Sequence, residues 1–150
     1  MKAVVQRVTR AEVRSAGKMA GQIGLGAVVL LGVARSDGEA EAIQLADKIA
    51  KLRIFDDADG RMNVPISTVP GARILLVSQF TLHGSTRKGN RPSYLEAAPP
   101  AQAETLYDQV AARLRELGLG VETGVFRTNM EVELVNDGPV TILLDTNDWK

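Results

Sequence analysis

Ser78, Gln79 and Thr81 come in quick succession at the end of an apolar run, Ile74-Leu75-Leu76-Val77. Four consecutive apolar residues of this kind read as a strand buried on both faces. A hydroxyl or amide at the end of such a strand must find a hydrogen-bond partner or leave the core, because one left unpaired inside costs about 1–3 kcal/mol. Two arrangements satisfy that demand. The polar groups bond neighbouring backbone and simply finish the strand, or they form the floor of a pocket and bond a ligand.

Conventional hydrolytic machinery does not fit the rest of the inventory. A Ser/His/Asp triad needs an imidazole base, and His83 is the only histidine. If the strand continues through it, His83 lies five residues beyond Ser78 and on the opposite face. One histidine away from any acidic cluster is also a poor start for a metal centre, and no metal is expected. Asp56-Asp57-Ala58-Asp59-Gly60 looks superficially like a calcium loop, but Ser67 stands where the bidentate glutamate should close it, so an acidic turn is expected. Thr81 as a nucleophile has no assisting base and is chemically weak alone. There are no cysteines, which removes thiolate catalysis, disulfides and zinc-thiolate sites and suggests a reducing compartment.

Arg87, Lys88 and Arg91 fall within the stretch Gly84–Ser93, among two glycines and several small hydroxyls. That composition suits a phosphate-seeking loop, and equally a merely solvated one. The chain as a whole gives no bias toward a polyanion: 18 Lys+Arg balance 18 Asp+Glu, so nucleic-acid contact must come from a local patch.

The elements that would position these residues follow from periodicity. Residues 2–8 read as a first strand, with Arg7 on the same side as Ala3 and Val5, so that it either points inward or stands as a solvated strand arginine. Residues 11–16 and 18–23 suggest a hairpin about Ala16-Gly17, and Ala27–Val33 a strongly apolar strand. Ser36-Asp37-Gly38-Glu39 matches a capping box, opening a helix with Ala42, Leu45, Ala46, Ile49 and Leu52 on one face. Pro99-Pro100 introduces a second helix, with Leu106, Tyr107, Val110, Leu114 and Leu117 as its buried stripe and Gly118 as its end. Two last strands, about 130–135 and 140–144, are expected to form a hairpin around Asn136-Asp137-Gly138-Pro139, although proline directly after the glycine departs from the usual turn. The fold class is α+β: a largely antiparallel sheet or barrel with two packed helices, in a single domain spanning residues 1–150. The N-terminal stretch Met1-Lys2-Ala3-Val4-Val5-Gln6-Arg7 meets charge too soon for a secretory signal. No apolar run approaches the roughly 20 residues of a membrane span, so a cytoplasmic protein with no membrane partner is expected.

Two separated motifs then carry a resemblance. Ser78-Gln79-Phe80-Thr81 and Asn136-Asp137-Gly138-Pro139-Val140-Thr141 strongly resemble the D-aminoacyl-tRNA deacylase (D-tyrosyl-tRNA deacylase) family. The likeness runs from Ala3-Val4-Val5-Gln6-Arg7-Val8 through Leu52-Arg53-Ile54-Phe55, Met62-Asn63, Thr86-Arg87-Lys88-Gly89 and Arg91-Pro92-Ser93 to about Asp145. Relatives often carry an aromatic residue where this chain has His83.

The resemblance implies a homodimer with active sites at the subunit interface, tRNA as substrate and no cofactor. It implies hydrolysis of the ester joining a D-amino acid, or glycine, to tRNA, as a proofreading step in translation. Gly138-Pro139 would form a cis peptide reaching into the other subunit's pocket, its carbonyl oxygens accepting from the substrate's α-ammonium, with Arg7 bracing that loop. Such a clamp excludes an L side chain sterically and lets glycine through. Ser78 and Gln79 would orient the ester and adenosine. Backbone amides near Phe80 and Thr81 would hold the carbonyl, with the ribose 2′-hydroxyl assisting and Thr81 contributory. Arg87, Lys88 and Arg91 would meet acceptor-stem phosphates. The competing expectation is a non-catalytic nucleic-acid-binding barrel that uses the same basic loop.

Overall fold

The computed structural model describes residues 1–150. The strands are β1 (Lys2–Ser15), β2 (Lys18–Ile23), β3 (Gly26–Gly32), β4 (Arg53–Asp56), β5 (Met62–Pro65), β6 (Arg73–Ser78), β7 (Gly120–Thr123) and β8 (Met130–Asp145). The helices are α1 (Glu39–Lys51) and α2 (Pro100–Glu116). β1 is the strand on which the sheet assembles. Its first half pairs antiparallel with β3 and its second half with β2, along one edge, while β8 pairs antiparallel with its whole length on the other. β6 then lies parallel to β3, and β7 parallel to β6. The expected barrel-like, largely antiparallel sheet with two helices is what forms, extended by these two parallel pairings.

β6 is buried on both faces, as its apolar run demands. Ile74 and Leu76 point into the larger core, against α1, α2 and the inner faces of β1 and β3. Leu75 and Val77 point the other way, into a second core with Val8, Ala11, Val13, Ile23 and Val28. A sheet curled over its own concave face creates that second core, and a strand serving both must be apolar at consecutive positions. The helix stripes are as read: Ala42, Leu45, Ala46 and Ile49 in α1, and Leu106, Tyr107, Val110 and Leu114 in α2, are buried. Leu52 and Leu117 fall just past the helices as partly buried caps.

Three local expectations are corrected. The capping pair is Gly38 and Glu41, not Ser36 and Glu39: the Gly38 N–H donates to Glu41 Oε2 at 2.9 Å. Asp37 explains the delay. Its carboxylate takes the Ala34 N–H at 2.6 Å and the Met1 α-ammonium at 2.7 Å, which holds residues 34–37 in a turn before the helix can start. The last two strands are not a hairpin either. They are one strand, β8, whose halves both pair with β1; between the pairs Gln6–Thr141 and Val8–Asn136, β8 has four residues where β1 has one, Arg7. Asp137-Gly138-Pro139 is therefore a looped-out bulge in a continuous strand. Finally, the Ser78 strand does not run on to His83. The Ala16-Gly17 hairpin does form, with φ of 50° and 73° at its two turn residues. Asp57 orders the acidic turn by accepting the N–H groups of Asp59 and Arg61, each at 2.9 Å. No helix is long and apolar enough to cross a membrane.

Candidate active site

β6 stops at Ser78 because the chain turns. Gln79 N–H donates to the Leu31 carbonyl at 2.8 Å, and Phe80–His83 then form a single 3-10 turn closed by Leu82 N–H on the Gln79 carbonyl at 3.3 Å and Gly84 N–H on the Thr81 carbonyl at 2.9 Å. The amides of Phe80 and Thr81 open this turn, and leading N–H groups have no acceptor within it. His83 is buried at its end with Nε2 unpartnered, so it is not on a strand face opposite Ser78. The turn packs on Gly32, where a Cβ would lie 2.9 Å from the Gln79 carbonyl oxygen and 3.1 Å from His83 Cδ2. Only a residue without a side chain admits the turn so close to β3.

A cleft of about 720 Å³ opens over Ser78, Gln79 and Phe80. Its volume lies within the roughly 300–1,000 Å³ common for ligand sites, and its walls are mainly apolar. Leu31, Val33 and Val77 come from the sheet, Pro99, Pro100 and Tyr107 from α2, and Phe126 to Met130 from the β7–β8 connection. Phe80 is exposed at the cleft and packs edge-on against Tyr94, ring centroids 5.1 Å apart. Tyr107 donates its O–H to the Leu76 carbonyl at 2.7 Å, which ties α2 to β6 two residues before Ser78. Burial pushes its phenol well above the usual tyrosine pKa, and the charge of Asp108 adds to the shift. The hydroxyl is therefore a fixed donor.

The charge on the cleft's lining is all positive. Arg35 and Arg127 are the charged residues on its lining, and no carboxylate joins them. α2 opens on it with no acidic residue in its first turn, leaving the positive end of the helix dipole uncompensated. The basic loop lies next door. Ser85 and Ser93 exchange backbone bonds of 2.9 Å in both directions, closing a loop that exposes Arg87, Lys88 and Arg91 immediately before Tyr94.

The sequence motifs are thus divided in space. Ser78, Gln79 and Phe80 line the cleft; Thr81 is exposed beside it, its hydroxyl accepting from the Gln79 side-chain amide. Arg7, Gly138 and Pro139 form a second cluster that does not line it. Arg7 is buried, so of its two readings the inward one holds. Its Nε donates to the Asp137 carbonyl at 3.2 Å, and Nη1 donates to the Ile54 carbonyl at 2.9 Å and to Asp56 Oδ1 at 3.2 Å. Asn136 Nδ2 pins the bulge from within, donating to the carbonyls of Arg7 at 2.9 Å and Val140 at 3.0 Å. The Gly138–Pro139 peptide is cis, and both residues are exposed. Arg7 pairs with Ala27 whereas the 3-10 turn packs on Gly32, five residues further along β3, which is about 16 Å of strand at the usual rise. A single chain does not bring its own two clusters together.

Sequence reasoning missed Arg35, Arg127, Tyr94 and the segment from Phe126 to Met130. Arg35 could have been suspected as a charge directly following the apolar strand. Arg127 carried no signal; its place on the cleft depends on the parallel β6–β7 pairing, which delivers the connection to the end of β6.

The family described as D-Tyr-tRNA(Tyr) deacylase matches residues 4–145. A D-aminoacyl-tRNA deacylase of Anaeromyxobacter dehalogenans (strain 2CP-C) is 63% identical over 146 residues, covering 97% of each chain. One of Symbiobacterium thermophilum (strain DSM 24528 / JCM 14929 / IAM 14863 / T) is 60% identical, covering 97% of this chain and 96% of that one. The solved structure of a protein described as c-Myc DNA Unwinding Element Binding Protein superposes with a TM-score of 0.89 at 42% identity, over 97% of this chain and 98% of its own. With the family match spanning residues 4–145 and relatives of 60% and 63% identity over nearly the full chain, the chain belongs to the D-aminoacyl-tRNA deacylase family.

Proposed function

We propose that this protein hydrolyses the ester between a D-amino acid and tRNA, releasing both, and that it does so as a homodimer with each active site completed by the partner. The observation that carries the reading is the division of the two motif clusters. A cleft over Ser78, Gln79 and Phe80 holds no chiral selector of its own, while the exposed Gly138–Pro139 bulge is braced from beneath by Arg7. A second copy that inserts its bulge into the cleft supplies what is missing. The exposed apolar residues Val132, Val135 and Leu143 of β8, with Phe80 and Leu95, provide surface that such a dimer would cover.

In this reading the carbonyl oxygens of Gly138 and Pro139 accept from the substrate's α-ammonium across the interface. A D side chain then points out of the pocket, and an L side chain is driven into the bulge. Glycine has nothing to exclude, so glycyl-tRNA is a second substrate. The ester is already activated, and orientation plus stabilisation of the carbonyl oxygen suffice. The amides of Phe80 and Thr81 receive that oxygen, and Ser78 and Gln79 align the ester and adenosine. Water adds to the acyl carbon, the bond to the ribose 3′-oxygen breaks, and the 2′-hydroxyl relays the water's proton to that leaving oxygen. Thr81 assists by orienting the Gln79 amide. Arg87, Lys88 and Arg91 meet acceptor-stem phosphates.

The test is to incubate the purified protein with D- and L-aminoacyl-tRNA carrying the same residue and follow release of the amino acid. Rapid release from the D-ester with the L-ester spared is expected. Tight binding of tRNA without release from either would instead support the second reading, a nucleic-acid-binding barrel, which the description of the 42% identical structure favours.

A further inference from the structure

The cleft over Ser78 and Gln79 is walled by more than the strand end. Besides the strand end, it is bounded by two connections, the one after β3 that carries Arg35 and the one between β7 and β8 that carries Arg127. In a chain whose charges balance, 18 against 18, these two arginines face the same cleft with no carboxylate on its lining to neutralise them.

Each guanidinium is held ready without being used up. Arg35 donates through Nε to the Leu95 carbonyl at 2.6 Å, which fixes its stem and leaves both Nη groups without a protein acceptor. Its own backbone is fixed as well, N–H on the Glu96 carbonyl at 3.0 Å and carbonyl accepting from Gln102 Nε2 at 3.1 Å. Arg127 is exposed, makes no ion pair or hydrogen bond through its side chain, and sits at φ 61°. A left-handed conformation is unusual for an arginine. The turn that imposes it is tied down by Thr128, whose hydroxyl donates to the Val125 carbonyl at 2.9 Å and accepts from Ser15 Oγ at 2.9 Å. An ordered turn presenting an unpaired guanidinium onto a carboxylate-free cleft has the chemistry of a phosphate contact, since the planar fork matches phosphate oxygens in pairs.

We propose that Arg35 and Arg127 form a phosphodiester subsite on this cleft, gripping the RNA backbone that leads 5′ from the terminal adenosine. This rests on the proposed reaction, because it is the aminoacylated adenosine over Ser78 and Gln79 that brings the backbone there. The subsite is separate from the loop of Arg87, Lys88 and Arg91, which meets the more distant stem. Its role is positioning: it sets the register in which the ester reaches the 3-10 turn and reads no base.

Three D-aminoacyl esters of increasing length test the idea: of adenosine alone, of the trinucleotide ending in that adenosine, and of whole tRNA. Arg127→Gln should lower kcat/KM about 10-fold on the trinucleotide and tRNA esters and leave the adenosine ester unchanged. It should also reduce the slope of log kcat/KM against log salt by about 0.7–0.9 for those two substrates, the release expected for one phosphate contact. Arg35→Lys, which keeps the charge, should lose less than Arg35→Gln on the same substrates. Arg87→Gln should affect tRNA alone. An equal loss on the adenosine ester would make the arginines structural and overturn the proposal, as would no loss on the trinucleotide. If the unsubstituted protein hydrolyses none of the three, it is the deacylase reading itself that has failed.

Discussion

Arg7 donates through Nε to the Asp137 carbonyl at 3.2 Å, and its Nη2 lies 3.2 Å from where a Cβ on Gly138 would sit. One buried guanidinium thus braces the bulge at Asp137, while also satisfying the Ile54 carbonyl at the start of β4. Replacing it by methionine keeps the stem's packing and strands those acceptors, at a cost of about 1–3 kcal/mol. The ion pairs to Asp56 and Asp137 add little, because both carboxylates are largely open to water. Urea denaturation of Arg7→Met should show that loss. Hydrolysis of the D-ester should fall at least 10-fold at temperatures where the variant is fully folded. Unchanged kinetics would mean that the bulge does not need its brace.

Gly138→Ala probes the bulge itself. Gly138 has φ 122°, and an added Cβ would meet Val140 Cγ2 at 2.8 Å and Val140 N at 3.0 Å. The methyl has no space and the backbone conformation resists it, so the bulge must shift. Since the bulge is solvent-exposed in the single chain, the fold should survive with a melting temperature within a few degrees. The expected result is a large loss of D-ester hydrolysis or a marked narrowing of the D-to-L ratio, read from parallel assays with one amino acid in both forms. Retention of rate and ratio together would remove Gly138 from the site.

Thr81→Ala separates two chemistries. Thr81 Oγ1 accepts from the Gln79 amide, and no carboxylate or imidazole bonds it. A hydroxyl without a base is a poor nucleophile, whereas losing an orienting partner of Gln79 costs a modest factor. Activity within about 10-fold of the unsubstituted protein is expected, the size of loss that goes with roughly 1.4 kcal/mol of barrier. Abolished turnover with D-substrate still bound would return Thr81 to the nucleophile's role.

The sequence made some of this legible and not the rest, for physical reasons. Period-two alternation put Arg7 on the side of Ala3 and Val5 without deciding between an inward and a solvated side chain, and four apolar residues in a row marked β6 as buried on both faces, because both are properties of one strand. The bulge at Gly138 read as a hairpin because Asp-Gly is a strong local turn signal; what overrode it was the length of β1, which offers partners to both halves of β8. The helix start slipped from Ser36 to Gly38 because Asp37 is engaged by the Met1 ammonium, a contact 36 residues apart in the chain. The cleft walls were invisible for the same reason. Tyr107, Arg127 and Ser78 converge only once β7 lies beside β6 and α2 packs across the sheet.

Tyr107 joins that packing to pH. Its hydroxyl is buried on the Leu76 carbonyl at 2.7 Å, and burial raises its pKa above the ordinary value of 10.0. At neutral pH the phenol is protonated both folded and unfolded, so its contribution to stability is fully present. Above pH 10 the unfolded chain releases this proton while the folded protein retains it, and stability is lost progressively as pH rises toward the folded pKa. Tyr107→Phe removes the hydrogen bond, leaves the carbonyl without this partner and should cost about 0.5–1.5 kcal/mol at pH 7. It also removes the alkaline penalty. Denaturation curves of both proteins at pH 7, 9 and 10.5 should therefore show the gap between them shrinking as pH rises. A gap of constant size would mean that the phenol ionises as easily in the fold as outside it, and that the link between α2 and the strand leading to Ser78 is not sealed from water.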